Sequence, residues 1–161
     1  MKGLWNDSTR AWIGLAARLY LGGVFVFACL HKIAHPGGFA TDIATYGVLP
    51  SALVNLLAIA LPWIELGTGA LLILGFRARA AAFCVAGMMA MFTAALILAL
   101  ARGLDISCGC FAAQGIQDDP ISILTVFRDL GWLALSLYVV FLDRVPLGVD
   151  AWLARKGKAH A

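Results

Sequence analysis

The stretch from Ala80 to Ala101, AAAFCVAGMMAMFTAALILALA, contains no charged residue. As a helix rising about 1.5 Å per residue it reaches roughly 33 Å, enough to cross the hydrocarbon core of a bilayer. Three more segments fit the same description. Ala11 to His31 is interrupted only by Arg18, Ser51 to Phe76 contains Pro62 and Glu65, and Ile121 to Leu142 carries Arg128 and Asp129 in its first half. The whole chain agrees with these four runs. Of its 161 residues 62% are hydrophobic and 13% charged, and mean hydropathy is +0.90. Soluble domains are roughly 45–50% apolar and about 25% charged. That composition excludes a soluble enzyme, a nucleic-acid-binding domain and a disordered linker.

The expected fold is all-α: an integral membrane four-helix antiparallel bundle forming one transmembrane domain over 1–161. The expected spans are approximately 11–31, 51–76, 80–101 and 121–142. The first is read as a retained helix. Its apolar run exceeds a signal peptide's, Asp7 sits in its leader, and Phe27 spoils the lipoprotein-like Val26-Phe27-Ala28-Cys29. Charge bias sets the orientation. Lys2, Arg10, Arg77, Arg79, Arg144, Arg155, Lys156 and Lys158 fall on one side, and only Lys32 and Arg102 on the other. Both termini are therefore expected in the cytoplasm, and the loops at about 32–50 and 102–120 outside, across a cytoplasmic (inner) membrane. No basic stripe is long enough to follow a phosphate backbone, so nucleic acid is not an expected partner.

In the first outer loop, His35-Pro36-Gly37-Gly38 reads as a breaker. Phe39, Ile43 and Tyr46 then recur at helical spacing, which suits a short interfacial helix ending before Leu49-Pro50. The basic tail from Val149, with Trp152 and Leu153, reads equally as an inner-surface segment or a solvated end.

Ionisable groups inside a bilayer normally face protein or water and have a partner. By distance from their span centres, Arg18 and Glu65 fall at similar depths, so a buried Arg18–Glu65 pair is expected. It would either fix helix register or serve a ligand head group or proton path. Small residues at Gly22, Gly23, Gly67, Gly69 and Gly87 would let helices approach closely.

The second outer loop carries Ser107-Cys108-Gly109-Cys110-Phe111. Thiols on an oxidising face pair, bind metal or exchange disulfides. A bridge between cysteines two apart closes a small strained ring and adds little chain-entropy stabilisation, so it suits an exchangeable couple better than a staple. Arg128, below this loop, would favour the thiolate; as an alternative it snorkels to the outer interface or pairs with Asp105, Asp118 or Asp119 of the same loop. Cys29 is a candidate resolving thiol or a packing residue. Lys32 and Arg102 are read as interfacial charges beside the loop. Cys84 lies too far along its helix to join. A soft-metal site from Cys29, His31, Cys108 and Cys110 stays open as an alternative, with His35 one turn beyond His31.

The order of these features resembles the DoxX-like/MauE family of small four-helix membrane proteins. The matching elements are Arg18-x-x-x-Gly22, His31-Lys32, Phe39 through Tyr46, Leu49-Pro50, Leu61-Pro62-x-x-Glu65-Leu66-x-x-Gly69, Leu74-Gly75, and Cys108-Gly109-Cys110-Phe111 with Arg128. They extend from about residue 10 to 142. Ala112-Ala113 departs from the glycine that often follows this cysteine pair. The resemblance implies a role in maturation of a disulfide-bearing enzyme alongside a thioredoxin-like partner. Through the DoxX relatives it implies a membrane quinone as electron partner. Thiol–disulfide oxidoreductase chemistry at Cys108 and Cys110 is the leading expectation, with Arg18, Glu65, Lys32 and Cys29 in support. The rivals are a non-catalytic membrane subunit or scaffold of a redox complex and a soft-metal carrier.

Overall fold

A computed structural model describes residues 7–104, 121–143 and 147–158, and in these it is all-α. Four long helices dominate: α1 (Asp7–Ala34), α3 (Ser51–Leu74), α4 (Ala78–Ala101) and α5 (Ile123–Phe141). Each is long and apolar enough to cross a bilayer, and the chain is an integral membrane protein. Two short helices, α2 (Pro36–Thr45) and α6 (Val149–Lys158), complete the described structure.

The short helix after α1 begins earlier than the breaker signal implied. Pro36 sits in its first turn, where a missing N–H costs nothing, and Gly37 and Gly38 continue it. The close of α3 follows from one residue. Gly75 has φ +65°, and the N–H groups of Gly75 and Phe76 donate to the carbonyls of Leu72 and Leu71. This left-handed ending satisfies carbonyls at the helix end and turns the chain straight into α4. The α5 helix starts at Ser122, whose hydroxyl accepts from the Thr125 N–H at 3.3 Å.

Packing is most extensive between α1 and α3 and between α4 and α5. The first contact is nearly backbone to backbone. A Cβ on Gly22 would come within 2.7 Å of the Gly69 carbonyl oxygen, and one on Gly69 within 3.0 Å of the Gly22 oxygen. Those two glycines do bring helices together, as small residues do in membranes. Gly23, Gly67 and Gly87 do not: a Cβ on any of them meets nothing within 4 Å. Leu21 and Phe25 of α1, Leu61 and Leu72 of α3, Val85 and Met89 of α4 and Val139 of α5 form the core, with Phe39 of α2 joining at one end. Large apolar side chains such as Phe27, Ile59, Trp63, Phe83, Leu124 and Phe141 point outward. In water such a surface would be costly; against lipid it is the expected exterior.

The Gly22–Gly69 and Arg18–Gly75 contacts show that α1 and α3 run in opposite directions. One end of the assembly holds the close of α1, all of α2 and the first turns of α3. The close of α4 and the start of α5 belong there too, through Leu96, Leu100, Ile121 and Val126. The other end holds the α3–α4 turn. Asp150 of α6 donates its N–H to the Gly75 carbonyl there at 3.1 Å.

Candidate functional site

Each of the two buried bases of α1 meets an acid, but not in the expected pairing. With Gly22 opposite Gly69, the Cα of Arg18 lies about level with Ile73 and that of Glu65 about level with Val26. That is roughly eight residues, or ~12 Å, apart along the axis. Helical side chains lean toward their own N-terminus. In this antiparallel pair Arg18 and Glu65 therefore lean away from each other, and the Arg18–Glu65 pair does not form. Glu65 and Lys32 lean toward each other, and they do pair.

Lys32 sits in the last turn of α1, four residues before Pro36, and the chain changes direction at His35 between them. Its Nζ lies 2.9 and 3.0 Å from the two carboxylate oxygens of Glu65, and both side chains are buried. The reading of Lys32 as an interfacial charge is thus corrected: its stem folds inward past the core. Two aromatic rings flank the ammonium, Phe39 at 4.9 Å and Phe92 at 5.7 Å from their centroids. Such faces stabilise a cation where water is scarce.

The surroundings of this pair are not tightly filled. On one side a cavity of about 20 Å³ is lined by Lys32, Glu65 and Asp129 among apolar neighbours that include Phe25, Phe92 and Trp132. That is about the size that holds one water, with three ionisable groups to bind it. On the other side a cleft of about 360 Å³ opens between α2, α3 and α4, and Lys32 also lines it. Tyr46 and Asp42 stand among its few polar residues. Burial pushes the Asp42 carboxyl above its ordinary pKa, and His31 and Lys32 partly offset this.

Arg18 pairs with Asp143, just beyond α5, at 2.9 Å. Its guanidinium also donates to the Leu147 carbonyl and, at 3.4 Å, to that of Gly14. Asp143 was missed because it reads as part of a charged exit from the last span, next to Arg144. The signal was available: a membrane arginine demands an acid, and Asp143 is the acid nearest the right end.

Arg128 and Asp129 are neighbours that pair with each other, Nε to Oδ1 at 3.2 Å, although they lie on different sides of α5. The Arg128 guanidinium lies 5.0 Å from the Trp132 ring. Asp129 is buried, and was missed as part of the inner cavity.

Cys29 is fully buried, and its thiol donates to the Val26 carbonyl at 3.0 Å, the arrangement of a packing cysteine. Cys84 is exposed near the start of α4. His31 and His35 bring their rings to 4.9 Å in a tilted contact. Among the described residues no group of three or more His, Cys, Asp or Glu is placed to hold a metal ion. Cys108 and Cys110, with Asp105, Asp118 and Asp119, lie outside the described residues.

The chain matches the family described as Methylamine utilisation protein MauE over residues 10–142. It is 34% identical to the Methylamine utilization protein MauE of Paracoccus denitrificans over 86% of this chain and 73% of that protein. It is 34% identical to the protein of the same name from Methylophilus methylotrophus, over 93% and 76% respectively. A third, from Methylorubrum extorquens, is also 34% identical, over 75% and 64%. No solved structure matches. The matched region begins at Arg10 and ends just before Asp143, so it takes in α1 from its second turn, all of α3, α4 and α5, and the Lys32–Glu65 pair: the chain belongs to the MauE family.

Proposed function

We propose that this protein is a membrane thiol–disulfide redox protein with a MauE-like maturation role, acting through Cys108 and Cys110. The observation that carries the reading is the Cys-Gly-Cys pair between the third and fourth spans of a MauE-family chain. The four long helices run antiparallel across the inner membrane with both termini cytoplasmic, and α2 lies on the outer surface. This orientation follows the charge bias. The cysteine loop is then extracytoplasmic, where disulfides persist.

In the exchange, one thiolate of the pair attacks a sulfur of a partner disulfide and forms a mixed disulfide, releasing the partner's other sulfur as a thiolate. The second cysteine then attacks its neighbour's sulfur. The partner leaves as a dithiol and the Cys108–Cys110 bond closes, so two electrons move to the partner. The reverse direction oxidises the partner. The partner implied by the resemblance is an extracytoplasmic thioredoxin-like protein or a disulfide-bearing client. In the direction that oxidises the partner the pair is left as two thiols, and their re-oxidation by a membrane quinone would move two electrons and two protons to give the quinol and restore the disulfide. Arg128 is assigned the role of favouring the thiolate, with Asp129 moderating its charge.

The test is a trap. With Cys110→Ser, a thioredoxin-like protein whose single cysteine is presented as its mixed disulfide with thionitrobenzoate should become linked to Cys108 as thionitrobenzoate leaves, and reductant should release it. With both cysteines changed to Ser no adduct should form. Full maturation by the double variant in cells would show a scaffold instead.

A further inference from the structure

We infer that the cleft between α2, α3 and α4 binds an uncharged membrane-dissolved molecule with an apolar body and a carbonyl oxygen, and that Lys32 Nζ donates a hydrogen bond to that oxygen. The cleft is open and offers about 360 Å³ beside a buried ion pair, within the range of small-molecule sites. The walls are apolar side chains such as Leu57, Leu61, Met91, Phe92 and Leu98, and they set the character of the ligand's body.

The floor sets the character of its head. An ammonium has three N–H donors and no acceptor. Two of the three are directed at the Glu65 oxygens, 2.9 and 3.0 Å away. Lys32 also lines the cleft, and its third N–H is the donor we assign to an acceptor that enters there. Because Glu65 already balances the charge of Lys32, an anion gains little net attraction there, while a neutral carbonyl gains a charge-assisted hydrogen bond. A plain hydrocarbon chain would fill the walls and leave that donor unanswered, which is the costly outcome in an apolar setting.

Two membrane constituents carry this chemistry, an isoprenoid quinone and the ester carbonyl of a glycerolipid, and the experiment separates them. The full chain, purified in a maltoside detergent that has no carbonyl, is titrated calorimetrically with decylubiquinone and separately with dioleoylglycerol. Saturable binding of either probe is expected, and the probe that binds identifies the source. Ala95→Phe, which fills the cleft from α4 without touching the ion pair, should weaken binding at least tenfold. Met91→Trp fills the same space from a second position and serves if Ala95→Phe lowers the melting temperature. Joint replacement of Lys32 and Glu65 by Met should weaken binding about tenfold, the loss expected for a hydrogen bond to a charged donor. Leu124→Ala, on the outward face of α5, should leave affinity unchanged. The Cys108→Ser/Cys110→Ser variant should bind as well as the parent, which separates this site from the thiol exchange. Saturation by neither probe, or affinity unchanged by both cleft fillers, would overturn the assignment.

Discussion

Two buried ion pairs, each joining a base on α1 to an acid on another part of the chain, are built in opposite ways. Around Arg18 and Asp143 the backbone closes in. A Cβ on Gly14 would meet the Asp143 carboxylate at 2.5 Å, and one on Gly75 would lie 2.6 Å from the Arg18 guanidinium and 2.9 Å from the Gly148 Cα. Around Lys32 and Glu65 the chain stands back, with a cavity on one side and a cleft on the other. Charge inside a membrane protein is therefore not one kind of signal. Space beside the charge distinguishes a site that can meet a ligand from a fastening.

The side chains differ in the same sense. Arginine presents a planar fork of five donors that needs several fixed acceptors, whereas lysine's ammonium is a compact donor group on a flexible stem. The largest expected effect is thus at the closed pair. Asp143→Leu leaves a permanent buried cation and should cost about 3–5 kcal/mol, the usual loss when one partner of a buried pair is removed. Glu65→Leu should cost less, about 1–3 kcal/mol, because the inner cavity leaves room for a water to take the place of the carboxylate beside Lys32. Thermal melts of the purified variants measure both, and equal losses would erase the distinction between the two ends.

A smaller effect separates glycines. Gly75→Ala places a Cβ at φ +65° against Arg18 and should destabilise by about 1–2 kcal/mol, with lower melting and lower yield. Gly67→Ala, where a Cβ meets nothing, should be neutral or slightly stabilising, since alanine is the better helix former. A similar loss at both positions would mean that the packing around Arg18 is not what makes that end rigid.

The smallest effect concerns the rim of the open end. Burial raises the Asp42 carboxyl above its unfolded value, so the folded chain holds that proton more tightly. Its contribution is complete below the unfolded pKa and is lost as pH rises through the folded pKa. Asp42→Asn should flatten that part of the stability profile between acid and neutral pH. A profile identical to the parent's would show Asp42 to be as hydrated as any surface carboxylate.

The long helices were legible because twenty or so apolar residues in a row have few alternatives. The buried charges were legible as charges but not as pairs. Depth along a span tracks the backbone, whereas Lys32 and Glu65 meet because two long side chains lean toward each other across antiparallel helices. Asp143 was hidden by Arg144 beside it, which made an internal acid look like a surface one. The start of α2 was obscured for a different reason: Pro36 and the glycines after it break a helix in its interior but are tolerated in a first turn. Both cavities depend on side chains from separate helices, and no single segment announces them. The cysteine pair is the reverse case, plain in the sequence and outside the described structure.

The two pairs also close at different moments in the life of the chain. Lys32 and Glu65 are separated by 33 positions, so their contact becomes available as soon as the second span has emerged. Arg18 waits far longer: its acid follows the last span, and the Leu147 carbonyl it grips lies 129 positions away. Throughout synthesis of the intervening helices the arginine has no Asp143 to meet, and membrane insertion of the first span proceeds without that neutralising partner. The contact completes only after the fourth span is delivered. It therefore ties the start of the chain to the segment that follows the last long helix, and it is the contact of α1 that the rest of the chain must be present to complete.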